Sequence, residues 1–536
     1  MHRVLVPITI AYLAYGLALA GLSHAGLEMR SGLLFPYLAE RPVGEDGYYM
    51  LTVAWNIASG QGVVYNYGMD TTGIQPLSTA IYAALAWIVQ LVGGDKWLFV
   101  RSVLLFGSAT LLLFAHTIGS LARDLADQGV RDLTYALGFI ATVFNFTLFR
   151  SFTYGLETGV YLILFALCLR YSLTLPGRRP GTREAIVMGL LAGITAWARI
   201  DFGVMLGVFL TLSLLERKLT TRWIVLTGVV AALIISPWFL YTFRVTGSWL
   251  PSSGGAQAGT ITMQVACSRL WIMGKAILSH STPWIYSTPG GALSLVALLS
   301  LLLFVGFLFG GRPHLARVLP RFRQGWPLSN WLIAIAVLIF VYLVSFSARH
   351  FYHRYSIPLV VPLTAIMAVL LANRIQEISR TAQTVLIYSI PLCFFGWAAL
   401  SLHAGRITSS HAISAAFIQR NFSSAKVGAF QSGIIGYYNS NVVNLDGKLD
   451  HKALDYLKRD ELHLYIDAER IDVLVDWPNI IYSHLEPDWL AANWEMCQRQ
   501  VPGGASICLQ RRSYAATGTS LPGREHPHEA AAQGAQ

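Results

Sequence analysis

Apolar stretches long enough to cross a bilayer constrain this chain more than any motif in it. A helix needs roughly 20 apolar residues to cross about 30 Å of hydrocarbon, and twelve stretches approach that length along the 536 residues. Hydrophobic residues make up 54% and charged ones only 12%, with a mean hydropathy of +0.51. A water-soluble globular chain does not have this balance. The chain is therefore read as a multi-pass integral membrane protein.

Eleven stretches read as spans: 4–22, 98–119, 133–150, 158–174, 185–199, 202–215, 222–243, 288–310, 329–347, 356–373 and 382–402. The twelfth, residues 75–93, decides the topology, because a crossing there reverses every later loop. Charge selects against it. Without that crossing, Arg3 and the short loops bearing Arg123 and Arg131, Arg170 to Arg183, Arg217 to Arg222, Arg312 to Arg323, and Arg374 and Arg380 all fall on the cytoplasmic side. Residues 75–93 are thus expected to lie along the interface. The N-terminus is expected inside and the C-terminal region outside, in the cytoplasmic (inner) membrane. The first stretch has no small-residue cleavage site and is read as a span.

The net charge of +11 does not point to nucleic acid, because the region from His403 onward carries 12 Lys+Arg against 14 Asp+Glu. The surplus belongs to the membrane part, where orientation explains it. From about Asn421 short strand-like runs (KVGAF, NVVNLDG, IDVLVDW) alternate with helical ones, the pattern of a small α/β unit. Cys497 and Cys508 flank a Pro-Gly-Gly turn that would bring their sulfurs together, on a side of the membrane where disulfides persist. Cys168 and Cys393 read as apolar fillers inside spans, and no Cys/His spacing resembles a metal site.

Ionisable groups at a membrane boundary are costly and invite functional hypotheses. Four such places fall on one face. Glu45 and Asp46 open an amphipathic helix in GEDGYYMLTVAWNIASGQGVVYN, where they serve either chemistry or a helix cap. Glu157 sits in TYGLETGVY, and Arg199 and Asp201 interrupt two apolar helices, where they could simply neutralise each other. Arg349, His350, His353 and Arg354 cluster with Tyr352 and Tyr355 in SARHFYHRYSIP, which could also anchor to phospholipid headgroups. Carboxylates facing a guanidinium and imidazole cluster suit a lipid phosphate that carries a transferable group. Arginine grips and stabilises the phosphate, and a carboxylate takes the proton of an attacking hydroxyl.

In order along the chain, EDGYYMLTVAWNIASGQGVVYN with TTGIQPLSTAIYAAL, then GLETGVY, SPWFLYTFRVTGSWLPSS and HRYSIPLVVPL resemble motifs of the GT-C superfamily of membrane glycosyltransferases. VGAFQSGIIGYYNSNVVNLDG is similar to the exported C-terminal domain of members related to bacterial arabinofuranosyl- and mannosyltransferases. The resemblance implies an all-α polytopic membrane domain of about 11 transmembrane helices plus an interfacial helix in the first outer loop, with a small α/β exported C-terminal domain. The expected divisions are 1–402, 403–513 and a disordered tail, 514–536.

The activity implied is hexosyl or pentosyl transfer, with inversion, from a polyprenyl-phosphate-linked donor to an extracytoplasmic glycan, lipid or protein acceptor. The base maps to Glu45 or Asp46, and the Glu-Asp order leaves open which. Substrate contacts map to Glu157, Arg349, His353, Arg354, Tyr355, Arg199 and Asp201. Some members hold a divalent cation, Mg or Mn, for which Glu157 would be a ligand. Membrane lipids are the expected surroundings. The rival classes are a transporter or flippase of lipid-linked sugars, a glycan polymerase or ligase, and a noncatalytic scaffold. An internal repeat of broken spans would mark a transporter, and none is evident.

Overall fold

A computed structural model describes residues 2–28, 34–66, 68–176, 180–256, 263–286, 325–345, 352–402, 410–498, 501 and 504–515. In hydrocarbon every backbone polar group must be satisfied within the segment, so apolar runs fold as helices. Six helices among the described residues are long and apolar enough to cross: Leu5–Leu22, Lys96–Leu125, Thr221–Thr246, Trp326–Ser345, Arg354–Ile375 and Arg380–Leu402. Their outward faces stay apolar, with Leu17, Leu233 and Leu392 among the exposed side chains. That is the composition of a helix facing lipid.

The expected span at 133–150 is instead a bent pair, Gln128–Val143 and Phe146–Thr153, meeting at 59°. Asn145 causes the break. Its side-chain oxygen accepts from Leu148 N at 3.1 Å and so caps the second helix, while its Nδ2 donates to His280 O at 2.9 Å. Three other expected spans form the helices Thr158–Ser172, Thr182–Ala198 and Phe202–Leu215, of 15, 17 and 14 residues. At 1.5 Å per residue these reach only about 21–26 Å. The expected span 288–310 and the expected tail beyond 515 lie outside the described residues.

Residues 75–93 contain the helix Pro76–Leu91, 16 residues long and about 24 Å end to end. It lies beside the helix Glu45–Ala58, with Gln90 Nε2 donating to Ser59 Oγ at 3.0 Å and Tyr82 OH to Leu156 O at 3.0 Å. Trp87, Ile88 and Leu91 remain exposed.

The C-terminal region holds a five-stranded mixed sheet. Its strands are β1 (Val427–Ala429), β2 (Val442–Asn444), β3 (Val473–Asp476), β4 (Trp494–Gln498) and β5 (Ile507–Arg511), in the order β2-β1-β3-β5-β4. β1 runs parallel to β2 and β3, and β5 runs antiparallel to β3 and β4. β1, β2 and β3 are buried at every residue because they are covered on both faces, by Leu445, Ile466 and Ile481 among others, while β4 at the edge is only partly covered. Cys497 and Cys508 form a disulfide across β4 and β5, as their spacing predicts.

Candidate active site

The helix Glu45–Ala58 is the element on which the site is built. It begins one residue after Gly44, whose N–H donates to Tyr154 O at 3.1 Å. A side chain at position 47 could not exist there: a Cβ on Gly47 would collide with the same Tyr154 carbonyl. Glycine therefore lets the start of this helix press against the turn that leads into Glu157.

Successive helix residues point about 100° apart, and this separates the two acids. The Glu45 carboxylate turns toward the C-terminal sheet, where it accepts from the backbone N–H of Gly433 and from Ile434 N at 2.9 Å. These amides open the helix Gly433–Tyr438 that connects β1 to β2. Glu45 thus caps a helix, though not its own. Burial pushes its carboxyl from 4.5 up to about 8, against the pull of the Ile434 and Gly433 amides and with the nearby charges of Asp46 and Asp476 adding to the rise.

Asp46 turns the other way. Its Oδ2 lies 3.8 Å from Arg354 Nη1 and its Oδ1 lies 3.8 Å from Lys448 Nζ. Both separations exceed a hydrogen bond, so the carboxylate is flanked by charge without being tied to it.

Behind Asp46 the charges continue inward. Arg354 Nη2 donates to both carboxylate oxygens of Glu157 at 3.0 Å. Glu157 is 1% exposed and also faces Arg199 Nη1 at 3.7 Å. Arg199, 4% exposed, donates through Nε to Asp201 Oδ1 at 3.1 Å and through Nη1 to the Arg354 backbone carbonyl at 2.9 Å. Tyr342 OH donates to Asp201 Oδ2, and the Tyr342 ring stacks on Tyr355 with centroids 3.8 Å apart and planes 4° apart. The result is one connected series, Asp46, Arg354, Glu157, Arg199, Asp201, Tyr342. A buried ion pair is weak support for stability, because desolvation offsets most of its attraction, so a series of them at a helix break points to function.

The structure therefore brings together Asp46, Glu157, Arg199, Asp201, Arg354 and Tyr355, and turns Glu45 away from them. Arg349 lies outside the described residues. His353 lies in the helix Tyr352–Ser356, but its side chain is likewise outside the described part. Arg199 and Asp201 do neutralise each other, the plain reading of their spacing, and they also join the larger series.

Sequence reasoning missed Tyr342 and Lys448. Tyr342 is a single hydroxyl inside the apolar run LIFVYLV, and that isolation was its only signal. Lys448 had none, since it lies more than 400 residues from Asp46 in the chain. Tyr437 is a core residue, buried with its hydroxyl on Lys96 O at 3.0 Å, while Tyr438 stacks on Trp97 at 4.4 Å.

Glu157, the candidate ligand of a divalent cation, is enclosed by the Arg354 and Arg199 guanidinium groups, which repel a cation. Among the described residues no three His, Cys, Asp or Glu side chains gather as metal ligands.

No protein-family profile and no curated protein matches the chain. Solved structures do. ArnT from Cupriavidus metallidurans in the apo state aligns over 97% of this chain and 100% of its own, at 12% identity and a TM-score of 0.57. The Archaeoglobus fulgidus oligosaccharyltransferase, solved in complex with Zn and sulfate, aligns over 87% of this chain and 67% of its own, at 12% identity and a TM-score of 0.50. The same ArnT bound to undecaprenyl phosphate aligns over 96% and 99%, at 13% identity and a TM-score of 0.49. The chain shares the fold of the apo ArnT structure and of the oligosaccharyltransferase solved with Zn and sulfate.

Proposed function

We propose that this chain is a membrane glycosyltransferase that moves a hexosyl or pentosyl unit from a polyprenyl-phosphate-linked donor to an extracytoplasmic glycan, lipid or protein acceptor, with inversion. The observation that carries the reading is the ion-pair series from Asp46 through Arg354 to Glu157 and Arg199, set within the GT-C fold. ArnT has been solved with undecaprenyl phosphate, a ligand of the kind this donor would release.

Asp46 is the base. The acceptor oxygen forms a bond to the anomeric carbon while the bond from that carbon to the phosphate oxygen breaks. The acceptor proton passes to Asp46, and the electron pair leaves with the polyprenyl phosphate. Arg354, with Arg349 and His353 from the same segment, receives the charge of that leaving phosphate. Glu157 holds Arg354 in place through two hydrogen bonds, and Arg199 and Asp201 fix Glu157 from behind. Attack from the face opposite the leaving group gives inversion. Residues 1–402 form the transferring part and 403–513 the exported domain, with the N-terminus cytoplasmic in the inner membrane.

The test supplies the purified protein with synthetic polyprenyl-phosphate sugars and a panel of acceptors. Asp46→Asn is expected to lose about 10²–10⁴-fold in rate, the usual contribution of a positioned base, while keeping a cooperative unfolding transition. Full transfer by Asp46→Asn would remove the base assignment.

A further inference from the structure

Lys448 reaches the site from the opposite end of the chain. It follows β2, in the connection Asp446 to Asp450, and this connection is held from several sides. Lys448 N donates to Asp446 Oδ1 at 2.9 Å, and Leu449 N donates to Asn444 Oδ1 at 3.3 Å. Ser252 Oγ donates to the Lys448 carbonyl at 2.7 Å. A Cβ on Gly73 would strike that carbonyl, so the first outer loop packs directly on the Lys448 backbone. A lysine stem is flexible and its ammonium seeks water. Fixing its backbone this closely turns a mobile cation into a placed one.

The ammonium then sits among Asp446 Oδ2 at 3.0 Å, Asp46 Oδ1 at 3.8 Å and the Tyr49 ring, whose centroid is 5.7 Å away. Burial disfavours its charge, but Asp446 first and Asp46 second outweigh burial and keep it protonated. Across the Asp46 carboxylate, Arg354 faces the other oxygen. Glu45 and Tyr49 flank Asp46 on its own helix, and Tyr154 lies close enough to feel its charge. Among the described residues, Lys448 is the charged group that the sheet domain places against Asp46.

We propose that Lys448 is a positioning residue of the transfer site, which holds the Asp46 carboxylate oriented for the acceptor, so that the site is complete only with the C-terminal domain docked. The proposal rests on Asp46 as the base. It goes further in making the sheet domain a part of the reaction centre and not only a brace for the first loop.

Lys448→Met keeps the length of the side chain and removes its charge, while Lys448→Arg restores the charge. Lys448→Met is expected to lose about 10–100-fold in kcat with the KM for the donor unchanged, the cost of a misplaced base. Lys448→Arg is expected to keep most of the wild-type kcat. A purely structural role would lower the melting temperature in parallel with the rate and would not be rescued by restoring only the charge. A wild-type kcat for Lys448→Met overturns the proposal, and so does a Lys448→Arg variant as slow as Lys448→Met. Thermal unfolding of Asp46→Asn, Lys448→Met and the double variant gives a readout independent of activity. Coupled side chains shift the melting temperature by less together than the two single shifts added, and strict additivity also overturns the proposal. If the wild type transfers no sugar but coupling is present, the glycosyltransferase reading fails while the placement of Lys448 stands.

Discussion

Glu45→Gln should remove a pH dependence of stability that only the contact between the two parts of the chain predicts. In the folded protein the carboxyl titrates at about 8, and in the unfolded chain at its ordinary 4.5. Between these values the unfolded chain has lost the proton and the folded protein keeps it. Stability therefore falls as pH rises through that window, by about 1.4 kcal/mol per unit, and the whole window is worth up to about 5 kcal/mol. This contribution is complete below pH 4.5 and gone above pH 8. Glutamine has no proton to lose, so the variant lacks the slope. It carries a separate cost: its amide offers one acceptor where Glu45 meets two N–H groups, Gly433 and Ile434, and an orphaned buried donor costs about 1–3 kcal/mol. The two effects cross. Glu45→Gln should melt below the wild type at pH 5 and above it at pH 8. Thermal unfolding in nanodiscs, followed by tryptophan fluorescence, reads the crossing, and hydrogen exchange of the 433–438 amides localises it. Greater damage to Glu45→Gln at pH 8 than at pH 5 would refute the reasoning. It would mean that attraction between the ionised carboxylate and the helix N-terminus exceeds the cost of desolvating it.

Glu157→Gln should destabilise the protein by about 3–5 kcal/mol, because it leaves the buried Arg199 and the half-buried Arg354 without their shared counter-charge; thermal unfolding measures this, and a wild-type melting temperature would contradict the series described above. Cysteines placed at Asp95 and Pro180 test the arrangement in the membrane: an impermeant thiol reagent should label position 95 in intact cells and leave position 180 untouched. Labelling at 180 would reverse the proposed orientation.

What could be read from the sequence follows from what the surroundings enforce locally. Hydrocarbon demands long apolar runs, and these mark the helices of the membrane part whatever they pack against. Cys497 and Cys508 sit on either side of a turn, so local geometry alone joins them. The acids and arginines of the site were visible as exceptions to apolar runs. The bend at Asn145 was not, because one amide in an apolar run marks a break only when a cap and a partner such as His280 O are present. The division of labour between Glu45 and Asp46 was also hidden. It depends on a 100° step of one helix and on a domain 388 residues later, and no local pattern carries that. Lys448 was invisible for the same reason.

The cap that Glu45 places on the helix Gly433–Tyr438 also sets an order of events during synthesis. Glu45 leaves the ribosome 388 residues before Gly433 does, which at about 5–20 residues per second is an interval of roughly 20–80 s. During that time the helix Glu45–Ala58 has no amides to hold its first residue, and Lys448 has not been made. Every membrane helix can be in place while the reaction centre is still unassembled. On the proposed reading, a nascent chain reacts with lipid-linked donors only after its sheet domain has folded.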